Sequence, residues 1–246
     1  MTIEIVGDGM CRYYIVAMSN KIAALVPMRH SSERVPGKNY RMFGDAPLFH
    51  HIVRTLLDCP SIDEILIDTD SPTIIEQCEQ EFPSVILIER PNDLRAGEIP
   101  MNRIIEHDLT FTDADTIVQT HSTNPLLESG AIEEAIRIFR EEDCDSVFTV
   151  TRLQQRLWSA AATPVNHDPT ELLRTQDLPP LFIENSCAFV FSRELILSTG
   201  SRIGDKPRMV ETDPTGSLDI DEEPDFVLAE AMWNVRVANR RPEDQS

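Results

Sequence analysis

The chain predicts an α/β fold built around a mostly parallel sheet, and three observations predict it. From residue 22 onward, short apolar runs alternate with amphipathic helical patterns across polar loops, the rhythm of parallel βαβ units. The 246 residues suit one such domain, alone or with a small appendage, and are enough to bury a real core. The first apolar run, residues 22–26, leads straight into a loop carrying Arg29, Arg34 and Lys38 and punctuated by Pro36 and Gly37. A cationic, Gly/Pro-marked loop behind a first parallel strand is a natural seat for a polyanion, because cations and free backbone N–H groups converge there.

The elements follow in order. IEIV and YYIVAM are apolar enough for short strands, yet MSNKIAALVPMR, from Met18, reads as an ordinary start. Residues 1–17 are therefore expected to be a weakly ordered extension or a misplaced start. Residues 22–26 form a buried strand that Pro27 ends. Residues 47–57 carry Leu48, Ile52 and Leu56 at helical spacing. Residues 62–67 are a strand ending in the polar run Asp68, Thr69, Asp70, Ser71, and 73–82 a helix behind Pro72. A strand at 85–88 leads into the polar loop RPNDLRAGEIPMN and a helix at 102–109. The strand 116–119 ends in THSTNPLL; His121 at its tip reads, from its own context, as a hydrogen-bonding residue without a ligand role. A helix at 129–140 and a strand at 146–151 follow. Residues 152–183, with Trp158 and several prolines, break the rhythm and read as an excursion from the sheet. The rhythm returns with a strand at 182–191, a helix at 193–199, a short strand at 208–211, a polar strand end at 218–223 and a closing helix at 225–237. The chain thus divides into an extension, 1–20, and one domain, 21–240, with the excursion inside it.

Composition excludes several classes. The net charge is −20, from 42 acidic and 22 basic residues, so the surface repels nucleic acid and anionic membrane. No apolar run spans a bilayer and the start has no secretory pattern, so a cytoplasmic protein is expected. The acidic residues are spread along the whole chain, which favours a surface adapted to concentrated salt, a halophilic trait, over a local acidic docking patch. Five scattered cysteines without a CxxC pair read as free thiols, and the six histidines lack zinc spacing.

Two features carry chemistry. The first is the cationic loop, which is neither a P-loop nor GxGxxG. The second is LDIDEEPDFVLAEAM, in which Asp219 and Asp221 flank an apolar residue just before a helix. In a strand, alternate residues share a face, so both carboxylates reach one site. Two hard oxygen ligands at that spacing suit Mg²⁺ or Mn²⁺ bridging to phosphates. A D-x-D in so acidic a chain is weak by itself; its flanks raise its weight.

PMRHSSERVPGKN resembles the N-terminal loop of the cytidylyltransferases that activate acidic sugars, usually PARGGSKRIPGKN. RPNDLRAGE, QTHSTNPLL, IENSCAFVFSR and SLDIDEEPDFVLAE resemble further blocks of that family in the same order, over residues 21–237. The nearest family is that of acylneuraminate cytidylyltransferase. The resemblance implies a three-layer α/β/α, Rossmann-like nucleotidyltransferase domain. It also implies an enzyme taking CTP and an acidic nine-carbon sugar, a nonulosonic acid, to a CMP-sugar and pyrophosphate in nucleotide-sugar biosynthesis. By resemblance, Arg29 and Lys38 bind the triphosphate and act in catalysis; Ser32, Arg34 and Asn39 line the same loop; Arg90 sits by the cytidine; Asp219 and Asp221 hold Mg²⁺. His121, Thr123, Asn124 and Asn185 are candidates for the acceptor sugar. The excursion matches an arm that the family extends into a partner subunit, so a homodimer is expected.

Three departures accompany the match. Glu33 stands where the family usually has Lys, Leu127 where it has Arg, and His121-Ser122 where it has Gln-Pro. They are expected to lie in or near the anion and acceptor sites, and they bear on the sugar more than on the nucleotide. A CMP-Kdo synthetase is the nearer alternative, ranked lower because QTHSTNP replaces QGDEP. A non-catalytic nucleotide-binding protein on the same fold is the more distant one.

Overall fold

The computed structural model describes residues 20–240 and, before them, two three-residue strands paired antiparallel, β1 (Thr2–Glu4) and β2 (Arg12–Tyr14). The rest of the expected extension lies outside the described residues. The chain continues through β3 (Ile22–Met28), the small hairpin β4 (Met42–Phe43) and β5 (Ala46–Pro47), α1 (Leu48–Leu57), β6 (Glu64–Thr69), α2 (Pro72–Glu81), β7 (Ile86–Glu89), α3 (Met101–Asp108) and β8 (Thr116–Thr120). It closes with α4 (Ser129–Glu141), β9 (Ser146–Leu153), β10 (Leu181–Ser192), α5 (Arg193–Thr199), β11 (Pro207–Glu211) and α6 (Glu223–Arg240).

Seven of these strands form the central sheet, in the order β11-β9-β10-β8-β3-β6-β7. Neighbours run parallel except at β10, which is antiparallel to both β8 and β9. The connections from β3 go one way to β6 and the later ones go the other way to β8. The order therefore reverses at β3, and in open α/β sheets the crevice beyond the carboxyl ends of such strands receives the ligand.

The strand period of two sorts side chains onto two cores. Ile22, Ala24, Val26 and Met28 join α1, α2 and α4, through residues such as Phe49, Ile74 and Ile132. Ala23 and Leu25 join the opposite layer, where α3 and α5 contribute Ile105 and Ile196. The expected three layers result. A third cluster, with Val35, Phe43, Ile220 and Phe226, packs α6 against the cationic loop and the hairpin. Gly44 turns that hairpin at φ +60°, and a Cβ there would sit 2.5 Å from the Trp233 ring, so α6 can lie this close only over glycine.

Two local expectations are corrected. Pro27 does not end β3; it stays in register with Asp68, and it is tolerated because β8 pairs with β3 only as far as Leu25, leaving one flank open at Pro27. Residues 218–223 are not a strand: between β11 and α6 the backbone is tied to the loop after β8 by one backbone hydrogen bond, Ile220 N–H to Thr123 O at 2.9 Å, and by the Asn124 amide on Leu218 O at 3.3 Å. Burying the Ile220 side chain completely, worth roughly 1.5–3 kcal/mol, does the anchoring that a ladder would have done. The excursion is present, with β9 ending at Leu153 and β10 beginning at Leu181. Among the described residues no helix is long and apolar enough to cross a membrane.

Candidate active site

At the carboxyl ends of β3 and β8 lies a cleft of about 530 Å³. The loop after β3 lines one wall with Arg29, Ser32, Glu33, Arg34, Lys38 and Asn39. The β8 end supplies His121, Ser122 and Thr123, and the loop before α3 supplies Gly97 and Glu98.

Asn39 fastens the first wall to the second. Its amide donates to Arg29 O at 2.8 Å and its carbonyl accepts from the Ser122 hydroxyl at 2.8 Å. Ser32 supports the same loop by accepting from Val35 N–H at 3.3 Å. Gly97 packs so closely that a Cβ there would meet Arg29 Nη1 at 2.9 Å. Glu33 also lines the cleft, so its carboxylate faces whatever anion these cations receive.

The chain brings the two acidic residues to this loop from nearly two hundred positions away. Lys38 Nζ donates to Ile220 O at 2.5 Å, and Arg34 Nη2 to Asp221 Oδ1 at 2.6 Å. Asp225, in the first turn of α6, accepts from Asp221 N–H at 3.1 Å and Glu222 N–H at 2.8 Å, which fixes the backbone that carries Asp221. Burial lowers Lys38 from its ordinary value, while Asp221 and Asp219 hold it up. Asp219 keeps an open face to solvent, yet the protein around it desolvates its carboxyl and pushes it up; a hydrogen bond from Thr123 and the Lys38 charge oppose that, and Asp221 adds to it. Two carboxylates flanking a buried residue, with the Asp221 charge close enough to raise Asp219, form a hard-oxygen donor set of the kind that fits Mg²⁺ shared with phosphates.

The structure disperses other expected site residues. Arg90, expected beside the cytidine, is buried behind the cleft wall; its Nε donates to Asp68 Oδ1 at 2.9 Å. Asp68, His107 and Asp108 gather there with ligand atoms within 4.8 Å, but the Arg90 guanidinium already supplies the positive charge. Asn124 is buried, donating to Leu218 O at 3.3 Å. Asn185 is used entirely inside the sheet. Its carbonyl accepts from Thr149 Oγ1 at 2.7 Å and Cys187 N–H at 3.2 Å, and its amide donates to Thr151 Oγ1 at 2.9 Å and Thr212 Oγ1 at 2.7 Å. That exhausts an asparagine side chain and corrects its expected contact with the acceptor. Leu127 is corrected too: it belongs to the core beneath α1 and α4, away from the anion and acceptor walls. Ser122, noted from sequence only as a departure, lines the cleft as expected, whereas Gly97 and Glu98 were not singled out, although the RPNDLRAGE block contains them. The cysteines expected to be free are so at Cys59, Cys78, Cys144 and Cys187, and burial pushes Cys59, Cys78 and Cys187 up to about 12. Cys11 lies outside the described residues.

A family model described as cytidylyltransferase matches residues 23–199. The chain is 26% identical over 219 residues to N-acylneuraminate cytidylyltransferase A of Danio rerio, covering 86% of this chain and 50% of that one. It is 25% identical over 178 residues to 3-deoxy-manno-octulosonate cytidylyltransferase 2 of Hydrogenovibrio crunogenus, covering 72% and 66%. The chain spans about half the length of the N-acylneuraminate cytidylyltransferases it matches. Among solved structures, CMP:2-keto-3-deoxy-manno-octonic acid synthetase complexed with CTP superposes with a TM-score of 0.64 at 16% identity, over 88% of this chain and 99% of that one, a likeness of fold.

Proposed function

We propose a function from one established premise: the chain belongs to the cytidylyltransferase family. It activates an acidic, sialic-acid-like nonulosonic sugar, joining it to CMP from CTP and releasing pyrophosphate. The observation that carries this reading is that Arg34 and Lys38, which line the cleft, are bonded to the segment carrying Asp219 and Asp221 through the Arg34–Asp221 and Lys38–Ile220 bonds.

The sugar's anomeric hydroxyl attacks the α-phosphorus of CTP, the bond to the β-phosphate breaks, and pyrophosphate leaves in line. Arg29 and Lys38 meet the triphosphate and offset charge that develops on the leaving group. Lys38 is well suited to this, since its ammonium is already desolvated and held on a backbone carbonyl and needs little reorganisation. Asn39 keeps the two walls in register, which matters because a displacement of about 1 Å costs on the order of 10²-fold in rate. Asp219 and Asp221 would hold Mg²⁺, which when bound neutralises phosphate oxygens and orients them. Arg34, which lines the cleft and holds Asp221 Oδ1, would sit between that carboxylate and the nucleotide's phosphates.

The excursion between β9 and β10 is proposed to dock on a second copy, which supports a homodimer. It exposes Trp158, Val165 and Leu172, the last 88% exposed.

The test is pyrophosphate release in high salt with Mg²⁺, using CTP, UTP or GTP against sialic, legionaminic, pseudaminic and Kdo acids. Turnover with CTP and a nine-carbon acid is expected; release with Kdo alone would favour the second reading, which the 3-deoxy-manno-octulosonate relative supports. No release with any pairing sinks both. Asp221→Asn and Lys38→Ala are each expected to abolish turnover with the melting temperature unchanged within a few degrees, and a near-normal rate in either removes that residue from the mechanism.

A further inference from the structure

Behind His121 stands a chain of three side chains whose hydrogen-bonding roles have only one consistent assignment. Gln119, the fourth residue of β8, is fully buried. Its Oε1 accepts from Arg202 Nη1. Its Nε2 donates to Thr120 O at 2.9 Å and also meets His121 Nε2 at 3.2 Å. A guanidinium is a donor only and a backbone carbonyl an acceptor only, so these two neighbours fix which end of the Gln119 amide is oxygen. The amide N–H₂ then has one hydrogen for Thr120 and one for His121. An amide nitrogen does not accept, so His121 Nε2 has to carry a lone pair. The ring proton is thereby left on Nδ1, in a neutral imidazole.

Arg202 is itself fixed. Its guanidinium lies 4.0 Å from the Phe189 ring centroid, a cation–π contact, and among the described residues it forms no ion pair. Burial lowers Arg202 from its ordinary value and the Glu184 charge, too far for a contact ion pair, opposes that, so the guanidinium reaches Gln119 without being neutralised by a carboxylate in contact. The burial of His121, with the charges of Arg202 and Lys38, pushes its imidazole down to about 4, in keeping with a ring that stays neutral. His121 lines the cleft, and Nδ1 has no partner among the described residues.

We propose that the Arg202–Gln119–His121 chain locks His121 as an Nδ1–H donor facing the cleft, and that this donor, set in the field of Arg202 and Lys38, recognises the carboxylate of the acceptor acid. Arg202 and Gln119 are positioning residues and act through His121. A neutral donor in a positive field binds an oxyanion without needing a proton from solution, and it rejects a ligand that offers a donor at the same point. The acceptor half of this inference rests on the cytidylyltransferase reading; the tautomer half does not.

The experiment has two arms. In the first, long-range ¹⁵N–¹H correlation spectra of the full ¹⁵N-labelled chain at pH 7, with His121 assigned by its loss in His121→Gln, report the tautomer. Wild type is expected to show a protonated Nδ1 and a bare Nε2. Gln119→Glu, which offers only acceptors, is expected to move the proton to Nε2. An Nε2–H tautomer in wild type, or spectra that Gln119→Glu leaves unchanged, overturns the chain. In the second arm, Arg202→Gln is expected to raise the KM for the acid about tenfold, which corresponds to about 1.4 kcal/mol, with the KM for CTP within about twofold. Arg202→Lys, still a donor, is expected to recover most of the loss. An acid KM that does not move, or a loss that falls on CTP, overturns the carboxylate assignment. The spectra need no turnover, so an inactive protein with the expected tautomer would defeat the cytidylyltransferase reading and the acid recognition while leaving the chain standing.

Discussion

Asn185 connects three strands by itself: β10 carries it, and it bonds Thr149 and Thr151 of β9 and Thr212 just beyond β11. It sits where the register of β10 on β9 shifts between Glu184 and Phe189, beside Ser186 at φ +55°. An unpaired buried polar group costs about 1–3 kcal/mol, so Asn185→Ala should lower the melting temperature by roughly 5 °C. KM values for both substrates should stay within about twofold; a selective rise in the acid's KM would return Asn185 to the acceptor site. Lys38 and Asn185 show the limit of residue-level reading. Both are polar residues in blocks that resemble a family motif. One turns to the cleft and the other into the sheet, and neither direction is written in the block itself.

The Asp68–Arg90–Asp108 group joins elements. Asp68 is on β6, Arg90 follows β7, and Asp108 ends α3, so the group pins the second core layer under the sheet edge next to the cleft. Burial, the Asp68 charge and a hydrogen bond with Asp68 push the Asp108 carboxyl well above the usual carboxylate range, with Arg90 pulling it back. The folded chain therefore keeps a proton that the unfolded chain releases near pH 4, and stability falls as pH rises beyond that point. His121, His50 and His51, lowered by burial, act oppositely, but only below their ordinary value of about 6.5. The buried thiols, also raised, add a fall of the same sign once pH nears their ordinary value of about 8.5, so the Asp108 slope is isolated between pH 7 and about 8. Asp108→Asn, which keeps the neutral shape and cannot ionise in the unfolded chain, should raise stability at pH 7 and flatten the fall between pH 7 and about 8 in denaturant titrations. Asp68→Asn should cost about 3–5 kcal/mol, because it leaves a buried guanidinium unpaired. An equal loss in the two variants would show that Asp108 is ionised. At this scale most helices and sheet strands were legible within a residue or two from their apolar faces; the closing helix runs three residues past its expected end, and the two-residue strands β4 and β5 are too short to show a period. The stretch 218–223 alternates like a strand, but the buried Ile220 side chain and hydrogen bonds with Lys38, Thr123 and Asn124 hold it in place without a ladder.

At the scale of the whole molecule, charge and the exposed arm set behaviour. With 42 acidic residues against 22 basic ones, self-repulsion acts over the whole surface and weakens as the screening length falls from about 10 Å at 0.1 M salt to about 3 Å at 1 M. The melting temperature should rise steadily between 0.1 and 2 M KCl; a fall would remove the salt-adapted reading. For assembly, light scattering should give the mass of a dimer, and Trp158→Asp combined with Leu172→Asp should give that of one chain. A wild-type monomer at the same salt would count against the arm as an interface.

The sequence by itself determined the α/β class, the element order, the excursion and the two acidic and cationic clusters, because hydrophobic period, punctuating prolines and glycines, and side-chain chemistry are local properties. Only the tertiary structure decided which chemistry-bearing residues share a space. The reversal of strand order at β3, the Lys38–Ile220 and Arg34–Asp221 bonds, the burial of Arg90 and Leu127, and the turn of Asn185 into the sheet all depend on where distant segments pack. Glu33 was legible as an oddity beside the cations; its position on the cleft wall, with Asn39 and Ser122 holding that wall in register, came from long-range contacts that no spacing in the chain encodes.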